Sequence, residues 1–186
     1  MTGPGTLDWV PALGAGDLLA APVRAALELW AQRDPAAAAA VLAAPIDADL
    51  ADTAAFCAAY GVKLEESANC VIVAGRRGDI TRYAACVVLA TTRADVNGIV
   101  RKHLDARKAS FAPMDDAVRL TGMEYGGITP IGLPKDWSIL VDARVIATPH
   151  VIIGSGVRHS KITIAGPALG ALPGAEVIEG LARPAE

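Results

Sequence analysis

The stretch Ser67-Ala68-Asn69-Cys70-Val71-Ile72-Val73-Ala74-Gly75 sets an amide and a thiol side by side at the head of an apolar run. A thiol becomes a nucleophile when a neighbouring base or cation lowers its pKa. Cys57, Cys70 and Cys86 instead lie inside apolar runs, where cysteine serves as a small core residue. Their odd number, wide spacing and lack of a Cys-x-x-Cys pair support neither a disulfide framework nor a structural zinc site. His103, His150 and His159 are scattered, with no His-x-His or His-x-x-x-His pair, so no metal site is expected. Gly154-Ser155-Gly156 carries a Gly-x-Gly fragment but not the third glycine and following helix of a dinucleotide fingerprint.

Residues 121–134, TGMEYGGITPIGLP, hold four glycines and two prolines in fourteen positions. That composition is costly in regular structure and is needed where the backbone takes a special path. Adjacent glycines such as Gly126 and Gly127 let N–H groups approach a ligand, and Pro130 stiffens the loop behind them. Such a loop can bind a carbonyl or a developing oxyanion without a charged side chain. A tight connection between helix and strand accounts for the same residues equally well.

The elements that must position these groups can be read from periodicity. Helices are expected over residues 17–31 with Asp17 as N-cap, over the alanine-rich 35–44 opened by Pro35, and over 52–60 closed by Gly61. Residues 70–74 and 83–90 are continuous apolar runs flanking the glycines of 75–79, which predicts an antiparallel hairpin. Asp95 is expected to cap a helix carrying Val96, Ile99, Val100, His103 and Leu104 on one face, His103 being a packing residue there. A short helix over 115–121 stops at Gly122, and short strands follow at 139–142, 151–153, 161–164 and 176–178. Helices in front and strands behind indicate an α+β or mixed α/β single domain, with a curved mixed sheet flanked by helices.

The 186 residues suffice for one well-developed core, which Ala, Val, Ile and Leu must fill because aromatics are only 4%. No long uncharged apolar window and no basic-then-apolar leader is present, so a cytoplasmic protein without membrane contact is expected. The net charge of −3 conceals an asymmetry: residues 1–66 carry three basic and nine acidic groups, whereas residues 67–108 carry eight basic and three acidic. A basic segment in an acidic protein is the electrostatic footprint of a polyanion partner, or else a solvated helix face and a charged hairpin tip.

The segments TGMEYGGITPIGLP, ILVDARV and VIIGSGVRHSKITI, in that order, resemble the YbaK/EbsC family, free-standing relatives of the editing domain inserted in bacterial prolyl-tRNA synthetases. ADTAAFCAAYGV is similar to the family's Thr-Ala-containing helix ending in Gly-Val, so the resemblance spans residues 51–181. It implies an editing domain over 51–182, with residues 1–50 as a lead-in and helices packed on it. It also implies hydrolysis of the ester joining a wrong small amino acid to the 3′-terminal adenosine of a tRNA, with the ribose hydroxyl assisting and no cofactor required. The Gly-x-x-x-Pro signature falls on Gly126 and Pro130, the strand aspartate on Asp142, and the late glycine turn on Gly154, Ser155 and Gly156. Thr129 joins these as a substrate-binding residue, and Gly126 and Gly127 become the donors to the carbonyl.

One departure concerns the lysine that editing members carry in a pattern like Val-x-Lys-Thr-Leu-Leu-Val. Asn69 stands at the lysine position and Cys70 at the threonine position. Asn supplies hydrogen bonds but no positive charge. Lys161 falls where relatives have an acidic residue, so either the cation has moved between strands or Lys161 is a solvated strand-end residue. The chain is therefore expected to be a trans-acting aminoacyl-tRNA deacylase of a divergent subgroup, with Asn69, Lys161, Gly126 and Gly127 at the catalytic centre. Arg76, Arg77, Arg101, Lys102, Arg107 and Lys108 would contact tRNA phosphates, and a synthetase is a further candidate partner. The alternatives are an inactive module binding aminoacyl-tRNA or a related aminoacyl or nucleotide ligand, and a hydrolase of another small aminoacyl ester.

Overall fold

A computed structural model describes residues 3–185, so residues 1 and 2 of the expected lead-in lie outside the described residues. The chain begins with strand β1 (Val10–Pro11) and a 3-10 turn, Gly16–Leu18, before helix α1 (Ala21–Arg33). Asp17 belongs to that turn and does not cap α1; Ala20 occupies the N-cap, and Pro22 sits in the first turn, where a missing N–H costs no helical bond. Helix α2 (Pro35–Ala39) is capped by the Asp34 carboxylate and ends well short of Ala44. The rest of the alanine-rich segment is strand β2 (Leu42–Pro45), whose first three residues are buried. Pairing with β1 and with a later strand overrides alanine's helix propensity, which is worth under about 1 kcal/mol per residue.

Helix α3 (Thr53–Tyr60) closes as expected on Gly61 in the left-handed conformation, φ 65°, and Asp52 is its N-cap. Strands β3 (Ala68–Arg77) and β4 (Ile80–Leu89) form the hairpin, turning on Gly78-Asp79, so that Gly75 lies inside the strand. After β5 (Thr92–Ala94), Asp95 accepts from the Gly98 N–H, but the turn it caps, Val96–Val100, is π-helical and leads into the single turn α4 (Arg101–His103). Then come β6 (Lys108–Phe111), α5 (Met114–Thr121), β7 (Ser138–Asp142), α6 (Ala143–Ala147), β8 (Val151–Gly154), β9 (Ser160–Ile164), α7 (Gly166–Gly170), β10 (Ala175–Ile178) and β11 (Ala182–Pro184). His103 packs as expected, its Nε2 3.2 Å from the Ser138 hydroxyl.

These elements make one mixed α/β domain in which helices flank sheets rather than a single sheet. A five-stranded mixed sheet has the order β10-β7-β4-β3-β6, a four-stranded antiparallel sheet the order β1-β2-β9-β8, and β11 pairs with β5. β3 and β4 read as continuous apolar runs because both faces of the larger sheet are covered. Val73, Cys86 and Val88 pack on one side against Val100, Leu104 and Leu181, while Val87 and Leu89 join Val23, Leu27, Val141, Ile153 and Ile162 on the other. No helix among the described residues is long and apolar enough to cross a membrane.

Two main-chain features open a space between the sheets. Ser67 and Ile152 form an isolated parallel bridge that ties the start of β3 to β8. On the edge of β3 away from β4, β6 pairs only from Val73 to Arg76, which leaves residues 68–72 without a partner from β6 there. Because Val23 and Leu27 of α1 are fully buried in the shared core, Leu27→Ala is expected to cost about 2–5 kcal/mol of global stability. Urea denaturation should show one shifted transition; a separate, early N-terminal transition would mean that α1 is only an appendage.

Candidate functional site

A cavity of about 450 Å³ occupies the split between β3 and β8. Its apolar wall comes from Ala68, Val71, Ile72, Ile152 and Ile153, and its polar groups come from Asp52, Thr53, Asn69, Gly126 and Lys161. Asn69 and Lys161 thus share one cavity although they lie on strands of different sheets. Asn69 Oδ1 accepts the Thr53 hydroxyl at 2.7 Å, which leaves the amide NH₂ as the group able to donate elsewhere. Lys161 Nζ donates to the Ala51 carbonyl at 2.9 Å and stands 5.2 Å from the centroid of the buried Phe56 ring. Both side chains are therefore tethered to the residues that open α3.

Lys161 is 7% exposed and is not a solvated strand-end residue. Burial disfavours its charged form and lowers its pKa below 10.5, against smaller contributions of opposite sign from Cys57 and the Asp52 carboxylate and a reinforcing one from Arg158. The cysteines move the other way. Burial raises Cys57 and Cys70 and pushes Cys86 up to about 12, so all three are protonated thiols near neutral pH. Cys57 and Cys86 are buried as expected, whereas Cys70 is only half-buried and contributes to the cavity wall.

The glycine-rich loop reaches the cavity through Tyr125, Gly126 and Ile128. Gly127 turns inward: its N–H donates to the Glu124 carbonyl at 2.9 Å, and its carbonyl accepts from Gly156 N–H at 2.7 Å. A Cβ on Gly127 would collide with the Val157 backbone, and one on Gly154 with the Gly127 and Ile128 carbonyls. These two glycines exist for close approach of two backbone segments, which supports the tight-connection account for Gly127. Directly across from Gly154 in the β8–β9 ladder is Lys161, so the same close approach sets the loop beside the buried cation.

Other expected substrate contacts lie outside the lining. Asp142 is buried and fully committed: Oδ1 accepts from Arg144 N–H at 2.9 Å as the α6 N-cap, and Oδ2 accepts from Ala182 N–H at 2.8 Å. Ser155 Oγ lies 2.6 Å from Ser160 Oγ and locks the late turn, and Gly156 abuts Ala20 and Val23 of the N-terminal segment. Thr129 and Pro130 are buried behind the loop, and Thr129 Oγ1 has no hydrogen-bond partner among the described residues. Asp52, Thr53, Phe111 and Tyr125 line the cavity without having been singled out. For Asp52 and Thr53 the signal was present, since a capping residue opens the family-like helix; the two aromatics carried none.

Of the six basic residues, Arg76, Arg101, Arg107 and Lys108 line a second hollow, of about 570 Å³, beside the edge strand β6. Lys102 is exposed outside it. Arg77 is held by Asp105, 2.6 Å from its carboxylate and 2.5 Å from its carbonyl, so this hairpin-tip arginine is partly engaged within the protein. Phe111 belongs to both hollows.

Two expected outcomes follow from these environments. Between its lowered folded value and 10.5, Lys161 is protonated in the unfolded chain but not in the folded one, so stability rises with pH across that window. Denaturation midpoints collected on approaching pH 10.5 should climb more steeply for the wild type than for Lys161→Met; parallel curves would show that the ammonium is not desolvated. Asp142→Ala should cost about 2 kcal/mol or more through loss of a cap and a charged hydrogen bond. Ligand affinity measured where the variant is fully folded should be unchanged, and a selective affinity loss would restore Asp142 to the binding site.

Residues 47–172 match the model of the aminoacyl-tRNA editing domain. Among solved structures, the hypothetical protein APE2540 superposes with a TM-score of 0.70 at 22% identity, over 85% of this chain and 99% of its own. A protein proposed as a trans-editing enzyme for prolyl tRNA synthetase gives a TM-score of 0.70 at 21% identity, over 86% of this chain and 94% of its own. A scaffold protein used for epitope backbone grafting by computational design matches to the same degree, with a TM-score of 0.70 at 21% identity over 86% and 95%. The structural matches share the fold, and the family match covers the cavity and both of its tethered polar side chains: the chain belongs to the aminoacyl-tRNA editing domain family.

Proposed function

We propose that this chain is a trans-acting aminoacyl-tRNA deacylase that removes a small amino acid from mischarged tRNA, in a subgroup where Asn69 replaces the usual lysine. The observation carrying this reading is the joint placement of Asn69, Lys161 and Gly126 around one apolar cavity. The amino-acid side chain lies against Ile72, Ile152 and Ile153, and the ester carbonyl faces the polar end. There the Asn69 amide and the Lys161 ammonium are donors of different kinds, the second having moved to β9 from the position it has in relatives. Gly126 N–H, which has no protein acceptor among the described residues, is the backbone donor; Gly127 is spent on Glu124.

Water adds to the carbonyl carbon, negative charge develops on the carbonyl oxygen, and the bond between the carbonyl carbon and the ribose oxygen then breaks, with a proton passing to that ribose oxygen. Donors already fixed in a poorly solvated wall stabilise that charge without reorganising. No thiol takes part, since all three are held protonated. Loss of one such donor typically costs about 10²–10³ in kcat. With a panel of mischarged tRNAs, Lys161→Ala and Asn69→Ala should each fall by about that factor, while Cys70→Ser retains activity. Full activity in Lys161→Ala disposes of the relocated cation. Tight tRNA binding with no turnover by the wild type would establish the inactive binding module instead.

A further inference from the structure

Phe111 is 62% exposed at the end of the edge strand β6, an unusual place for a phenyl ring in a chain with so few aromatics. It lines the acyl-sized cavity on one side and the basic hollow on the other. The hollow presents Arg76, Arg101, Arg107 and Lys108 and no carboxylate in its lining. None of the four is in an ion pair among the described residues, whereas nearby Arg77 and Arg82 are both engaged by Asp105. In the antiparallel register Lys108 lies opposite Arg76 and Phe111 opposite Val73, so these two cations sit at one end of the β3–β6 pair and the ring at the other.

We propose that Phe111 and this hollow form a subsite for the single-stranded 3′ end of an RNA. The base of the nucleotide whose ribose enters the cavity stacks on the Phe111 ring, and the phosphates on its 5′ side run along the four cations. An exposed ring supplies a π-face that any base can use, and a carboxylate-free groove tracks a phosphate backbone; together they are the two components of single-strand recognition. An acidic peptide would use the cations but gain nothing from the ring. The subsite rests on the deacylase reading only for what fills the neighbouring cavity, since RNA binding itself needs no ester.

The test therefore uses a short fluorescein-labelled single-stranded RNA with an unesterified 3′ end, and the same RNA abasic at its last nucleotide, followed by anisotropy. Phe111→Ala should weaken binding of the complete RNA by between about 5- and 150-fold, and Phe111→Trp should restore it. Both proteins should bind the abasic RNA alike, because the stacked base is then missing. Arg107→Glu combined with Lys108→Glu should weaken both probes and flatten the salt dependence by about 0.7 in log–log slope for each phosphate no longer neutralised. Unchanged affinity in Phe111→Ala, no RNA binding by the wild type, or equal displacement by polyglutamate would each overturn the subsite. So would loss on Tyr125→Ala alone, which would move the base to the other exposed aromatic of the cavity rim. Deacylation assays judge the other proposal separately: intact turnover with unaltered RNA binding by Phe111→Ala sinks only the subsite, and absent turnover leaves the binding result to decide it.

Discussion

An isolated main-chain bridge, Ser67 to Ile152, joins the two larger sheets, which a shared apolar core packs against each other. The cavity lies at that bridge, with Ser67 and Ile152 both in its lining. Had β6 continued its pairing below Val73, the edge of residues 68–72 would be closed and no space would remain. The open edge is not left bare: Ile72 accepts a hydrogen bond from Ala112 N–H at 2.8 Å, and residues 68–72 all contribute to the cavity lining. Buried backbone without partners is costly, so such an edge persists where ligand or water can reach it.

The bridge also fixes where polar groups can be placed. An ammonium in an apolar wall loses hydration worth several kcal/mol, and only close partners offset that loss. Lys161 has the Ala51 carbonyl, the Phe56 ring and the Asp52 carboxylate nearby, each on or beside the first turns of α3. Asn69 uses the adjacent Thr53. The start of one helix thus supports two side chains from separate sheets. A neutral amide at position 69 and a cation at 161 are then complementary: placing a second ammonium at 69 would set like charges around one small cavity, which burial punishes further. Under the proposed relocation, lysine at 161 and asparagine at 69 are linked choices.

Much of this was legible from residues. The hairpin, the capped α3, the stop at Gly122 and the four late strands follow from apolar runs and glycine punctuation, because those signals are local. β2 was hidden by alanine, whose preference for helix is weaker than the pairing available to a buried VLAA segment. β6 was hidden because an edge strand with lysine and a solvent-facing ring has no alternation to read. Asp142 was expected at the site only because the family resemblance implied it; here two backbone N–H groups occupy its carboxylate. The burial of Lys161 could not be read at all, because it depends on a helix more than a hundred residues earlier.

The two hollows divide what a ligand of mixed character requires. Charge in the basic hollow can supply affinity for a polyanion while reading little of its sequence. The apolar cavity supplies discrimination, yet one methylene in such a pocket is worth only about 1–3 kcal/mol. Walls of Ile72, Ile152 and Ile153 can exclude what is too large but cannot strongly reject what is smaller. Under the proposed function, selectivity among small acyl groups must then come from placement, with the ester brought to the Asn69 and Lys161 end by contacts made elsewhere. Among the described residues, Phe111 is the one residue in the lining of both hollows, which under the proposed subsite lets it couple them. Under that same reading, binding energy gathered along the hollow is useful for catalysis only if it fixes the carbonyl against donors that are themselves fixed, as Asn69 and Lys161 are by their contacts at the start of α3.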